Sequence, residues 1–232
     1  QRAAKVRVSQ RLGRLVGLVQ HQRVGAGAGR GQGGVGAILG PGSNAAFTYL
    51  AYHGADPTTF ATVMAIDGFS TGFAGTALVT TALLPHLPEA EVTLVDSSSG
   101  MRRVLADKAA DGRLPSPTRV WGLDLEAQPV PPERFDLVVT SNVLHHVGEL
   151  DRVLAGFAEL LDAGGWVAVA DLDREDGSFH DHDFGGHHGF DRAEVASRLA
   201  AAGFVDVTVA DAGHVHKQDR DYPVFLAVGR RA

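Results

Sequence analysis

Short apolar runs and segments with helical spacing alternate along the chain from Thr62 onward. Strand-like runs lie at 62–67, 91–96, 117–121, 135–140 and 165–171. The spacing of apolar residues predicts helices at 74–86, 99–110, 148–162 and 191–202. Because most of these runs are apolar at nearly every position, they are typical of parallel strands that are covered on both faces. The pattern therefore predicts an α/β fold with a mostly parallel sheet.

The end of the chain departs from this alternation. Two further strand-like runs, 204–210 and 222–229, follow helix 191–202 with no helical pattern between them. Gly203 stands where a left-handed residue would end that helix. The last two strands are therefore predicted to form an antiparallel hairpin at the sheet edge.

The amino-terminal part has a different character. Apolar residues at helical spacing among arginines predict a basic amphipathic helix within 4–20, which either docks on its own domain or contacts a membrane or an acidic partner. Residues 25–42 contain nine glycines and Pro41, a composition typical of a flexible linker. We divide the chain into a basic, glycine-rich segment at 1–43 and one folded domain at 44–232.

Composition limits the possible partners. The 232 residues include no cysteine, which excludes disulfides and thiolate chemistry. Residues 1–55 carry seven Lys or Arg and no acid, so all 27 acids lie in the remainder, whose net charge is −13. An acidic body argues against nucleic acid as a substrate. With no signal-peptide pattern and no apolar run of membrane-spanning length, we expect a cytoplasmic protein without a membrane partner.

Acids and turns at the ends of strands mark the candidate site. Asp96 ends an apolar strand and is followed by three serines, Gly100 and Met101. A carboxylate at this position can accept hydrogen bonds from the hydroxyls of a ribose, and the serines can cap the next helix. Because ligands bind at the carboxyl ends of strands in open α/β sheets, this segment predicts a nucleotide-type cofactor.

Three segments in this order, 91–101, 134–147 and 160–171, resemble the Rossmann-like S-adenosylmethionine-dependent methyltransferases, specifically their small-molecule branch. The resemblance implies a seven-stranded sheet with an antiparallel carboxyl-terminal hairpin and helices on both faces. It also implies S-adenosylmethionine as cofactor and transfer of its methyl group to oxygen, nitrogen or carbon of a small-molecule acceptor.

The resemblance assigns expected roles to individual residues. Asp96 would hold the ribose, flanked by Ser97 and Met101, while Asp124 and the amide of Leu125 would contact adenine. Ser141, at the start of the segment after the fourth strand, would form the floor of the cofactor pocket. The methionine end of the cofactor would be held by Gly68, Ser70 and Gly72.

The glycine loop departs from the pattern of the family. Ser70 stands where a glycine is expected, and Asp67 comes one residue late. The segment Gly25–Gly29 has suitable glycine spacing but is too far from Asp96, so we interpret it as a coincidental match. One hypothesis for the departure is that part of residues 1–75 is not native sequence.

Histidines supply the candidate groups on the acceptor side. His145 or His146 could act as a base near the transferred methyl group, because imidazole titrates close to neutrality. The loop after strand 165–171 is rich in acids and histidines, and in the family it lies over the acceptor pocket. We therefore expect His180, His187 and His188 to contact the substrate. The alternatives are a purely structural loop, or a loop that binds zinc, manganese or iron through its histidines and acids. Because their spacing matches no metal motif, we assign no residue to a metal site.

Other functions compete with methyl transfer. A non-catalytic binding module could retain this fold after its glycine loop degenerated. A nicotinamide-dependent oxidoreductase shares the acid at the strand end, but the chain offers no credible dinucleotide loop at the first turn. A basic-tail adaptor for RNA is a more distant alternative. The pattern does not indicate an oligomeric state.

Overall fold

The computed structural model describes residues 62–67, 90–114, 117–180 and 183–232. The boundary expected at residue 43, the helix expected at 74–86 and the glycine loop with Gly68, Ser70 and Gly72 lie outside these ranges. In the part of the chain that is described, no helix is both long enough and apolar enough to cross a bilayer.

Seven strands form one sheet, and their bounds follow the apolar runs of the sequence. They are β1 Thr62–Asp67, β2 Glu91–Val95, β3 Thr118–Trp121, β4 Phe135–Ser141, β5 Leu161–Leu172, β6 Phe204–Lys217 and β7 Arg220–Arg231. The order across the sheet is β3-β2-β1-β4-β5-β7-β6, with β7 antiparallel to both of its neighbours. The predicted α/β sheet with a closing hairpin is confirmed.

Three α-helices fall within the described ranges: α1 Ser99–Ala110, α2 Leu150–Leu160 and α3 Arg192–Ala201. The Asp191 carboxylate caps α3 by accepting hydrogen bonds from the amides of Ala193 and Glu194. Gly203, at φ +96°, ends the same helix as predicted. Glu126, on the loop after β3, accepts from the Gly148 amide and so satisfies a donor ahead of α2.

The two faces of the sheet are both covered. Val138, Val167 and Val169 pack with residues of α2 and α3 on one face. Leu105 of α1 packs against Ala65 and Leu94 on the opposite face. Asp136, at the start of β4, accepts hydrogen bonds from the amide and hydroxyl of Thr62, which fixes the start of β4 beside that of β1. Asp136 therefore has a structural role at the start of the strand.

Two elements differ from the prediction. Residues 162–165, which lie between the helix expected at 148–162 and the strand expected at 165–171, form an irregularity inside β5, because Leu161 already pairs with Phe135 and the ladder resumes at Trp166. The hairpin strands are longer than 204–210 and 222–229, because β6 continues through a bulge between Asp211 and Gly213. Glycines at 164 and 213 with positive φ supply the backbone angles that both irregularities need.

Candidate functional site

The site is expected where the sheet reverses its strand order. β2 and β3 continue from β1 in one direction and β5 continues from β4 in the other, which leaves a crevice at the carboxyl ends of β1 and β4. Asp67 pairs with Ser141, so these two strands end together. Asp96 directly follows β2, two strands from Ser141, a separation of about 10 Å at ordinary strand spacing.

Asp96 is the half-buried acid at this edge. Its Oδ1 accepts a hydrogen bond of 2.7 Å from the Ser98 amide. Burial raises the pKa of the Asp96 carboxyl above its usual value, although the Ser98 amide and the Arg102 charge act in the opposite direction. The Ser98 amide and the Arg102 charge offset only part of the cost of desolvating this carboxylate. A carboxylate in such an environment is typical of a ligand-binding position.

Arg102 joins the ends of β2 and β3, and sequence reasoning missed it. Its guanidinium donates to the carbonyls of Asp96 and Ser97 at 2.9 and 2.8 Å. A Cβ added to Gly122 would lie 2.9 Å from Arg102 Cζ, so the guanidinium rests directly on the backbone after β3. The segments around Arg102 and Gly122 come together only because β2 pairs with β3, so no local sequence pattern predicts this contact.

Asp124 lies three residues beyond β3 on the same sheet edge. Its Oδ1 accepts from the Glu126 amide at 2.9 Å, and its own amide donates to the Gln128 side chain at 3.0 Å. These bonds hold a turn that orients the Asp124 carboxylate. Leu125 is buried and packs against Gly156 of α2. The adenine contacts assigned to this pair stay a prediction.

Asn142 directly follows β4 in a left-handed backbone conformation. It has φ 52°, is 4 % exposed, and its amide donates to the Ala170 carbonyl at 2.9 Å. Its Oδ1 is buried and has no hydrogen-bond partner among the described residues. An unsatisfied buried acceptor on a left-handed residue at a strand end indicates a ligand-facing position. The tolerance of asparagine for left-handed angles is the sequence signal that could have found it.

His145 lies on a short 3₁₀ helix, Leu144–His146, and pairs with Asp171 at the end of β5. The distance from His145 Nδ1 to Asp171 Oδ1 is 2.6 Å, and the two side chains are 2 % and 1 % exposed. Amides of Leu144 and Leu172 donate to the Asp171 carboxylate, each at 2.8 Å. A carboxylate that accepts all these bonds orients the His145 ring with Nδ1 as donor, so Nε2 is directed away from Asp171.

His146 and His180 complete a cluster with His145. Nitrogen atoms of the three rings lie within 4.8 Å of one another. Phe184 stacks on His180 with ring centroids 3.6 Å apart and meets His146 edge-on at 5.1 Å. The cluster ranges from buried His145 to exposed His146, so it opens toward solvent at the end of β4.

His187 and His188 lie outside this cluster. The His187 amide donates to the His145 carbonyl at 2.8 Å, while its ring packs on Phe190. His188 Nδ1 lies 3.3 Å from Glu175 Oε1, and its ring is half exposed. The structure therefore brings His180 beside the two histidines of the 3₁₀ helix, which the sequence could not indicate. The substrate contacts expected of His180, His187 and His188 stay predictions.

Comparison with known proteins gives a consistent result. A family model described as a methyltransferase domain matches residues 74–167. The chain is 33 % identical over 173 residues to a malonyl-[acyl-carrier protein] O-methyltransferase of Geobacter sulfurreducens, covering 68 % of this chain and 62 % of that protein. It is 36 % identical over 87 residues to a ubiquinone/menaquinone biosynthesis C-methyltransferase of Bordetella parapertussis, covering 38 % and 33 %. The chain thus spans less than two thirds of the length of each relative.

Solved structures share the fold. The CurJ carbon methyltransferase superposes with a TM-score of 0.61 at 19 % identity, over 83 % of this chain and 54 % of that chain. The N-methyltransferase NodS of Bradyrhizobium japonicum, in complex with S-adenosyl-L-homocysteine, gives a TM-score of 0.58 at 17 % identity, over 82 % and 85 %. At these identities the likeness establishes the fold alone.

Proposed function

We propose that the chain is a Rossmann-like S-adenosylmethionine-dependent methyltransferase, which transfers a methyl group from S-adenosylmethionine to a small-molecule acceptor. The main observation in support of this proposal is the environment of Asp96. It is a half-buried carboxylate with a raised pKa, placed at the carboxyl end of β2 beside the point where the strand order reverses. Its Oδ2 accepts no hydrogen bond from the part of the chain that the structure describes, which suits a ribose hydroxyl.

The remaining nucleoside contacts would come from the neighbouring strand ends. Asp124 stands beyond β3 to accept from the adenine amino group, and the Arg102 guanidinium fixes the backbone between the two acids. Ser141 and Asn142 would form the floor near the methionine portion. The sulfonium is already activated, so the protein mainly has to align the acceptor with the methyl group and exclude water.

The acceptor would lie against the histidine cluster, since His145 and His146 follow β4 at the same sheet edge. His145 Nε2, in a ring oriented by Asp171, could take a proton from the acceptor. By their names, the matched relatives are a malonyl-[acyl-carrier protein] O-methyltransferase and a C-methyltransferase of ubiquinone/menaquinone biosynthesis. Acids bound to a carrier protein and quinone-related compounds therefore form the first set of acceptors to examine.

Calorimetry with S-adenosylhomocysteine tests the cofactor assignment. We expect the wild-type protein to bind one equivalent, and release of S-adenosylhomocysteine from S-adenosylmethionine in the presence of an acceptor to report turnover. Failure to bind at millimolar ligand would contradict the proposal and favour a non-catalytic binding module.

A further inference from the structure

We propose that His145, His146 and His180 bind one divalent transition-metal ion, with zinc as the best match to the donor set. Three imidazole nitrogens within 4.8 Å of one another form a compact, all-nitrogen donor set, which suits zinc better than magnesium or calcium. Zinc sites with three protein ligands leave the fourth position for water or substrate.

The hydrogen bond between Asp171 and His145 is an independent sign of a metal site. Metal-binding histidines commonly donate their second ring nitrogen to a carboxylate, which fixes the tautomer and raises the basicity of the ligand nitrogen. Here the 2.6 Å contact to Asp171 occupies Nδ1 and leaves Nε2 as the atom for an ion, while the His146 and His180 ring centroids lie 4.2 and 5.4 Å from that of His145. Asp171 is itself held by backbone amides, so the orientation of the ring is fixed before any ion binds.

The third ligand is also held in place from outside the cluster. His180 is sandwiched between neighbouring rings: Phe184 stacks on it at 3.6 Å, and Phe179 meets it edge-on at 5.1 Å. Phe179 is buried, and its carbonyl accepts from Lys217 of β6 at 2.6 Å. The loop that carries His180 is therefore anchored to the sheet on the residue before the ligand.

Small ring rotations would complete the coordination. Zinc–nitrogen bonds of about 2.0–2.1 Å in a tetrahedral site require nitrogen–nitrogen separations of roughly 3.4 Å. The present separations, at most 4.8 Å, approach this value mainly when the exposed His146 ring turns, with a smaller adjustment of the His180 ring within its stack on Phe184. His145 is the most buried ligand and is already fixed by Asp171.

The open coordination position would face the acceptor, and this part of the inference rests on the proposed function. An acceptor hydroxyl that binds the ion loses its proton to water, because a bound cation lowers the pKa of its oxygen ligand. The resulting oxygen anion then forms a bond to the methyl carbon. The electron pair of the breaking sulfur–carbon bond returns to sulfur, and the sulfonium becomes a thioether. The ion thereby replaces direct proton transfer to His145.

Cobalt titration of chelator-treated full-length protein tests the site. Tetrahedral Co²⁺ gives visible absorption bands that zinc abolishes on displacement, and we expect one equivalent per chain. Single variants His146→Ala and His180→Ala should each lower affinity by about 100-fold or more. Asp171→Asn, which alters the support of His145, should lower it by about 10- to 100-fold. His216→Ala is the matched control, since His216 is a half-exposed histidine paired with Asp221 on the hairpin and should leave binding unchanged.

Two results would overturn the metal site: no cobalt absorption with wild-type protein, or equal affinity in wild type, His146→Ala and His180→Ala. Circular dichroism of each variant without metal verifies folding. S-adenosylhomocysteine binding, measured on the same samples, separates the two proposals. Protein that binds the cofactor analogue but no metal contradicts only the metal site, whereas protein that binds metal but no analogue contradicts only the proposed function.

Discussion

At the scale of single residues, the candidate site consists of polar groups buried at the ends of strands. Asp96, Asn142 and Asp171 stand just after β2, just after β4 and near the end of β5. Asp171 is fully satisfied by amides and by His145, whereas Asp96 and Asn142 keep oxygen atoms without partners among the described residues. This contrast favours a positioning role for Asp171 and supports the ligand contacts proposed for the other two.

Replacing Asp96 by Asn should separate binding from stability. The raised pKa means that the ionised carboxyl is less favourable in the folded than in the unfolded chain, so at pH 7 its charge opposes folding. We expect Asp96→Asn to leave the free energy of unfolding unchanged or slightly higher. Loss of charge-assisted bonds to the ribose should cost about 2 kcal/mol of binding, about 30-fold in affinity for S-adenosylhomocysteine.

Calorimetry and urea unfolding on the same variant check this prediction. In the wild type, the contribution of Asp96 to binding should disappear as the pH falls through its raised pKa, at a higher pH than for an ordinary aspartate. If Asp96→Asn unfolds more easily but binds S-adenosylhomocysteine normally, Asp96 serves only to stabilise the segment before α1, and the prediction is wrong.

Replacing Asp171 by Ala should do the opposite and act first on stability. The substitution leaves the His145 ring and two buried amides without their acceptor, and breaking such a buried pair typically costs about 3–5 kcal/mol. Denaturant unfolding measures the change. Glu159→Ala, an exposed position on α2, is the control and should stay within about 0.5 kcal/mol of wild type. Equal stability of the two variants would contradict the role assigned to Asp171.

At the scale of elements, the loop between β5 and α3 packs closely against the 3₁₀ helix. Asp173 and Phe190 form a bridge that closes the loop at its base, and the His187 amide ties its middle to the His145 carbonyl. Gly186 lies against that same carbonyl, where a Cβ would collide with the His145 oxygen and the Phe184 ring. The loop can contact the 3₁₀ helix this closely only because residue 186 has no side chain.

Gly186→Ala should therefore push the loop away from the 3₁₀ helix. We expect weaker binding of the acceptor, or of cobalt at the histidine cluster, by about 10-fold or more, with unchanged affinity for S-adenosylhomocysteine, because Asp96 lies on the other side of the crevice. Gly185→Ala is the control, since a Cβ there meets no atom within 4 Å. Identical binding by the two variants would contradict the close contact between loop and helix.

At the scale of the whole molecule, the hairpin of β6 and β7 supports the loop between β5 and α3 from outside the crevice. Arg220 of β7 donates to Asp176 at 2.9 Å and to Ser178 at 2.6 Å, and the Tyr222 hydroxyl donates to the Ser178 carbonyl at 3.0 Å. The antiparallel edge that distinguishes this sheet therefore also holds the segment just before His180.

This connection should weaken in acid. Hydrogen bonds from Ser178 and Arg220 lower the pKa of Asp176 to about 2, so its stabilising contribution is present above the ordinary value of 3.8 and is lost as the pH falls toward 2. Unfolding measured between pH 4 and 2 should show a smaller loss of stability for Asp176→Asn than for wild type. Glu133→Gln, on an exposed turn, is the control and should match the wild-type slope. Equal slopes for Asp176→Asn and wild type would contradict the connection.

Much of this architecture follows from local signals in the sequence. Apolar runs and helical spacing predicted the described strands and α-helices, and the missing helix between the last two runs predicted the hairpin, because periodicity reports how each segment is covered. The irregularity at residues 162–165 and the extension of β6 were missed, since glycines and acids there look like turn signals until a partner strand pairs across them.

The sequence by itself determined the order of elements, the resemblance to a methyltransferase family and the position of Asp96 at a strand end, because each depends on residues within single segments of the chain. Only the tertiary structure decided that Arg102 bridges to Gly122, that Asp171 orients His145, and that His180 joins His145 and His146. These contacts join segments 20 to 35 residues apart. They depend on strand register and loop closure, which no local pattern encodes.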